Sequence, residues 1–250
     1  MLEQIDLDRT VAKSTYERRL PELQSRLYEL ELEVRDRGIP VAIVFEGWAA
    51  AGKGGAIGAL TQRLDPRGCR VVPITPPRTS ETRYPWLQRF WLRSPARGQI
   101  VVFDTSWYRR VLIERIEKTV SRSGRTAAYQ DILDFEDTLA AEGTVFLKFW
   151  LHISKREQSK RLKGLLKDPL TAWQVTDEDR AQHRAYDRSL RAVEEMLART
   201  DTAAAPWVIV EATDKRFARL KILETTIATI GAALARGAAP APARAGRARR

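Results

Sequence analysis

Cysteine is almost missing from this chain: Cys69 stands alone among 250 residues. That excludes an internal disulfide framework and fits a reducing compartment. Histidine is nearly as scarce, and with only His152 and His183 no Cys/His metal cluster can be assembled. No apolar run approaches the roughly 20 residues of a membrane span. The opening Met-Leu-Glu-Gln-Ile-Asp also lacks the basic-then-apolar order of a secretory signal, so a cytoplasmic protein with no membrane partner is expected. Acids are in deficit: 43 Lys and Arg face 32 Asp and Glu, a net charge of +11. Arg244, Arg247, Arg249 and Arg250 supply four of those charges, leaving +7 on the body. Such a surplus favours a polyanionic partner (nucleic acid, an acidic surface or a phosphate polymer) without choosing among them. With 44% hydrophobic and 30% charged residues, the chain has the make-up of a globular protein with a substantial core.

The most informative stretch is Phe45-Glu46-Gly47-Trp48-Ala49-Ala50-Ala51-Gly52-Lys53-Gly54-Gly55. It follows the β-branched run Val41-Ala42-Ile43-Val44 and precedes a segment, Ala56–Leu60, able to continue as a helix. Strand, Gly-x-x-x-x-Gly-Lys, helix is the geometry of a phosphate-binding loop. The glycines let backbone N–H groups converge on phosphate oxygens, the helix N-terminus adds its dipole, and Lys53 reaches the outer phosphates. Gly54 stands where most such loops place a hydroxyl on Mg²⁺, so a metal must be held from elsewhere.

Further strands are expected at Arg70–Ile74, Gln99–Asp104, Thr144–Leu151 and Pro206–Glu211. Helices are expected at about 9–37, 84–92, from Ser106, at 126–141 and from Lys215 to Leu234. The alternation of unbroken apolar strands with helices implies an α/β fold, a five-stranded parallel sheet covered on both faces. The organisation expected is an N-terminal amphipathic helix (1–38), a phosphate-loop domain (39–236) and a disordered basic tail (237–250). Asp104 closes the third strand at its C-terminal edge, where open α/β sheets bind ligands and phosphate-loop proteins place a metal-binding acid. Between strands four and five, Lys160, Lys163 and Lys167 share one helix face. Set over the phosphate loop, a lid at about 154–180 would close on phosphates and exclude water. Trp173 offers a stacking surface for a base, though an aromatic there more often packs.

At this point the residues resemble a family. Glu46-Gly47-Trp48-x-Ala50-Ala51-Gly52-Lys53-Gly54-Gly55, Asp65-Pro66-Arg67-Gly68, Phe103-Asp104-x-Ser106-Trp107-Tyr108, Asp168-Pro169-Leu170 and Glu211-Ala212-x-Asp214-Lys215-Arg216 are similar to the family-2 polyphosphate kinases. The resemblance runs from about residue 40 to residue 225. It implies a three-layer P-loop kinase-like fold with a helical lid, and transfer of phosphate between inorganic polyphosphate and a nucleoside mono- or diphosphate with Mg²⁺, or Mn²⁺ in its place. It also implies a dimer or tetramer. The run Arg109-Arg110-Val111-Leu112-x-Glu114-Arg115 looks most like the branch that converts AMP to ADP. Carried over by motif, Lys53, Asp104 and Arg161 are catalytic, Asp104 holds the metal, and Gly47, Ala49, Ala51, Gly52, Gly54 and Gly55 form the loop. Arg110 and Glu114 stand on the nucleotide side, Lys160 and Arg161 are lid cations, and Lys163 and Lys167, from the lysine stripe, are further phosphate-binding candidates. Three positions depart from the pattern: Ala49 where an Asp is usual, Thr105 where an Arg is usual, and Leu165 where a second lid Arg is usual. Two other readings stay open, a nucleoside diphosphate as acceptor and a catalytically lapsed binder of polyphosphate or nucleotides. Nucleic-acid binding ranks below these, because no recognised module for it is visible.

Overall fold

The computed structural model describes residues 2–237. Of the Ala/Pro/Arg-rich tail expected over 237–250, all but Gly237 lies outside the described residues. Five strands, β1 (Val41–Gly47), β2 (Cys69–Pro73), β3 (Ile100–Asp104), β4 (Val145–His152) and β5 (Trp207–Glu211), form one sheet in the order β2-β3-β1-β4-β5. Every pairing is parallel. β1 is buried along its whole length, as a central strand with both faces covered must be.

The helices are α1 (Lys13–Arg37), α2 (Lys53–Thr61), α3 (Gln88–Trp91), α4 (Ile113–Ile116), α5 (Arg122–Ala141), α6 (Lys155–Lys167), α7 (Pro169–Ala172), α8 (Asp177–Arg184), α9 (Tyr186–Thr200) and α10 (Lys215–Ala235). The chain leaves β1 through α2 toward β2, and later moves the opposite way from β3 through α5 to β4. Right-handed crossovers therefore put α2 and α5 on opposite faces. α10 packs on α2 and α1, while α9 packs on α5. β1 lies between β3 and β4, so the direction of winding reverses at the C-terminal end of β1, where a ligand crevice opens.

Three expectations need correction. α1 begins at Lys13 rather than near Arg9; its end is as expected, with Gly38 in the left-handed conformation (φ 67°). The helix expected over 84–92 shrinks to α3, because Pro85 keeps Tyr84 extended and the turn starts only behind it. The helix expected from Ser106 splits into a 3₁₀ turn, Trp107–Arg110, and α4. Trp107 and Tyr108 are both fully buried, on a network with Glu136, and that demand on consecutive residues overrides helical periodicity. α9 was not anticipated. No described helix is long and apolar enough to cross a membrane.

Candidate functional site

The phosphate loop is held in shape by its underside. A Cβ at Gly47 would lie 2.7 Å from the Leu151 carbonyl oxygen, so only glycine lets the end of β1 lie this close to β4. Trp48 follows, fully buried, stacked on Tyr186 at 4.3 Å and donating from Nε1 to His152 Nδ1 at 2.9 Å. Indole is only a donor, so His152 Nδ1 accepts and its proton sits on Nε2. Burial pulls the His152 pKa down to about 4, leaving the ring neutral near pH 7. The chain then turns through Ala50 (φ 58°) and Gly52 (φ 104°) into α2. Its first loop-closing bond runs from Ala56 N–H to Gly52 C=O, so the N–H groups of Lys53, Gly54 and Gly55 precede the helical ladder. Lys53 Nζ curls back to the Gly47 carbonyl at 3.4 Å.

Arg161 of α6 clamps the same loop from above. Its Nε donates to Glu157, its Nη1 to the Ala50 and Ala51 carbonyls, and its Nη2 to the Ala212 and Thr213 carbonyls, all within 3.1 Å. All five N–H groups are thereby used, and one side chain ties lid, loop and the end of β5 together. Beside it, Leu162 and Val175 bury Ala49, with Leu165 and Ala50 packed on the cluster. The Ala49 N–H donates to Gln182 Oε1 of α8, which also accepts from Gln158.

Across the crevice, Asp104 ends β3. Thr105 then adopts φ 63°, a strained conformation for a β-branched residue. The turn delivers Ser106 N–H and Oγ to Glu46 Oε1 at 2.9 and 2.8 Å. Burial pushes the Glu46 carboxyl up to about 7, against the pull of Ser106 and Lys53. The Asp104 carboxylate has no hydrogen bond or ion pair with the described residues, although it faces the loop cavity. No group of three or more His, Cys, Asp or Glu among the described residues could by itself hold a metal. One uncommitted carboxylate beside a phosphate loop fits Mg²⁺, which is commonly held by one or two carboxylates with substrate phosphates completing its shell.

Two cavities meet at Lys53. The first, about 640 Å³, lies over Gly52–Ala56 and is bounded by Asp104, Arg161, Leu165, Lys215 and Arg219. The second, about 360 Å³, has Glu46, Gly47, Ala49 and Thr105 at its inner end and Leu112, Ile113, Ile116, Ala192 and Val193 along its walls. Arg109 also lines it, paired with Glu178 of α8 (Nη1 to Oε2, 2.9 Å). Trp150 Nε1 and Ser189 Oγ, on two of its lining residues, are buried without a hydrogen-bond partner among the described residues.

Ala51, Gly52, Lys53, Gly54, Gly55, Asp104 and Arg161 therefore come together around the first cavity, and Gly47 and Ala49 line the second. The three lysines do not join them. Helix α6 does lie over the loop, but it turns Arg161, Leu162 and Leu165 inward and leaves Lys160, Lys163 and Lys167 exposed on the far face. Burying Leu162 against Ala49 and Val175 fixes that rotation. Arg110 and Glu114 form an ion pair at 2.9 Å under Trp86, in a separate recess beyond Arg109. Missed by the sequence reading were Lys215 and Arg219 of α10, together with Glu46, Arg109 and Gln182. The Asp214-Lys215-Arg216 motif held the one available signal for Lys215. Trp173 is exposed rather than packed.

The model of a family described as polyphosphate kinase 2 matches residues 10–237. A polyphosphate:AMP phosphotransferase of Pseudomonas aeruginosa is 44% identical over 233 residues, covering 93% of this chain and 47% of that protein. An ADP-polyphosphate phosphotransferase of the same organism is 38% identical over 88% of this chain and 73% of its own. A crystal structure of polyphosphate kinase 2 from Arthrobacter aurescens superposes with a TM-score of 0.88 at 29% identity, over 93% of this chain and 85% of that one. The chain thus spans about half the length of the AMP-directed relative and most of the others.

Proposed function

Because this chain belongs to the polyphosphate kinase 2 family, we propose that it transfers a phosphoryl group from inorganic polyphosphate to a nucleotide, with AMP as acceptor and ADP as product. The observation that carries this reading is the pair of cavities joined at Lys53: one basic and backed by a helix N-terminus, the other offering apolar surface from Leu112, Ile113, Ile116, Ala192 and Val193 with Glu117, Asp177, Glu178 and Asp179 also in its lining. A phosphate chain suits the first, where the N–H groups that open α2, Lys53, Lys215 and Arg219 all offer positive charge. A nucleoside suits the second, with its base between Ile113, Ile116 and Val193 and its phosphate directed at Lys53. AMP as the acceptor draws on the similarity to the polyphosphate:AMP phosphotransferase.

In this arrangement Lys53 touches both the transferring group and the acceptor, and spreads positive charge over the phosphoryl oxygens as the bond to the leaving phosphate loosens. A divalent cation beside Asp104, Mg²⁺ or Mn²⁺, would supply further charge neutralisation there. The nucleophile is a phosphate oxygen of the acceptor, already anionic, so the missing acid at Ala49 removes no obligatory base. Arg161 acts as a positioning residue, holding Ala50 and Ala51 so that the loop keeps its curvature. Closure of α6–α8 keeps water from the transferring group. The test is to incubate the protein with AMP, polyphosphate and Mg²⁺ and follow ADP by chromatography. Lys53→Ala and Asp104→Ala should each lower turnover by about 10²-fold or more. Absence of product with AMP, ADP and GDP alike would refute the activity.

A further inference from the structure

On the side of α4 away from the nucleotide cavity lies a second basic depression, about 520 Å³, bounded by Arg115, Arg122, Arg125, Arg199, Tyr129 and Glu195. Glu195 is the one carboxylate in this lining and is shared, at 2.7 Å from Arg115 and 3.1 Å from Arg199. Arg122 and Arg125 pair with no described acid. Both sit in the first turn of the 20-residue α5, which has no acid there. Cations at a helix N-terminus oppose the macrodipole, a cost that a bound anion would reverse. Arg199 lies over the Tyr129 ring at 4.5 Å, which pre-orders its guanidinium. Tyr129 is 4% exposed, and its hydroxyl sits beside the Arg115 guanidinium without a well-formed hydrogen bond to any described residue. Burial pushes that phenol up to about 12, so it stays a donor. The depression continues into a shallower recess of about 1090 Å³ through Arg122, Thr126, Tyr129 and Arg199. The two share these four residues and so form one continuous groove, with room for several phosphate units rather than a single compact ion.

We propose that this groove, formed by Arg115, Arg122, Arg125, Arg199 and Tyr129, is a second binding site for a linear phosphate chain, separate from the phosphate loop. Its guanidiniums take non-bridging phosphate oxygens in charge-assisted, forked hydrogen bonds. Such a site would hold the protein on a long polymer while the loop works on another stretch of it, raising the local concentration of donor. Binding here does not depend on which nucleotide accepts phosphate, so failure of the ADP assay leaves the result below intact.

The experiment is calorimetric titration of the full chain with tripolyphosphate. Lys53→Ala weakens the loop site, and the variant should still bind tripolyphosphate. Adding Arg122→Gln and Arg125→Gln to that variant should weaken the remaining binding by about tenfold or more per guanidinium, the usual worth of a hydrogen bond to a charged group. Thermal stability should not fall, because Arg122 is exposed, Arg125 is half-buried without an acid partner, and both oppose the α5 dipole. Several results would overturn the proposal. These are no binding to Lys53→Ala, binding that the arginine substitutions leave undiminished, or displacement of tripolyphosphate by duplex DNA at equal phosphate concentration. Equal affinity for ATP would likewise overturn the phosphate-chain assignment in favour of a nucleotide site.

Discussion

Replacing Glu46 by glutamine isolates the electrostatics of the crevice. The carboxyl is 4% exposed, accepts from Ser106 N–H and Oγ through one oxygen, and is pushed from 4.5 to about 7 mainly by burial. A folded-state value above the unfolded one means that the native protein binds more protons between those two values. Stability from this group is therefore complete below about pH 4.5 and is lost as the pH rises through about 7. The loss across the window is about 3 kcal/mol, at 1.36 kcal/mol for each factor of ten in proton affinity. Glutamine keeps the amide oxygen for Ser106 and cannot ionise. The stability of Glu46→Gln relative to wild type should therefore rise by about 3 kcal/mol between pH 4.5 and 8.5. Urea denaturation of both proteins at both pH values measures it. The difference between proteins cancels every titrating group that does not interact with Glu46. An unchanged difference across the window would mean that Glu46 is fully solvated when ionised, and would refute the burial argument.

Other perturbations address the rest of the structure. His152 titrates with the opposite sign: its value is lowered to about 4, so its stabilisation, about 3 kcal/mol, is present above pH 6.5 and fades toward pH 4. His152→Gln should remove that acid sensitivity in the same denaturation series. Lys148 is fully buried in β4, donating to Glu136, Tyr108 and the Thr200 carbonyl at 2.7–2.8 Å. Lys148→Met or Glu136→Leu alone should cost about 3–5 kcal/mol, and the double variant less than the sum, read from a double-mutant cycle. Arg161→Lys keeps the charge but has three donors for five acceptors, so it should lower the melting temperature and raise KM for polyphosphate more than it lowers kcat. Gly47→Ala drives a Cβ to 2.7 Å from the Leu151 oxygen and should abolish phosphate binding or folding, checked by circular dichroism and titration.

Much of this molecule is local information. The apolar runs at Val41–Phe45 and Ile100–Phe103 announce buried parallel strands, and both form as read. The acid that ends one and the Gly-Lys-Gly-Gly that follows the other announce what stands at their C-terminal edge. These features need only chain direction and a period, so one sequence suffices. Tertiary contacts decided the remainder. Lys160, Lys163 and Lys167 recur on one helical stripe, but so do Gln158, Leu162 and Leu165, and spacing cannot say which stripe meets the loop. Desolvation decides it: Leu162 gains by burial against Ala49 and Val175, whereas a lysine there would lose its hydration. Nothing local links Lys215 and Arg219 to a loop some 160 residues earlier, or Glu178 to Arg109; α10 packing on α2 and the lid folding over α4 bring them there. The sequence by itself determined which chemical groups stand at the strand ends. Only the folded chain decided which cations surround them, because burial, a property of neighbours distant in sequence, selects the face that each helix turns inward.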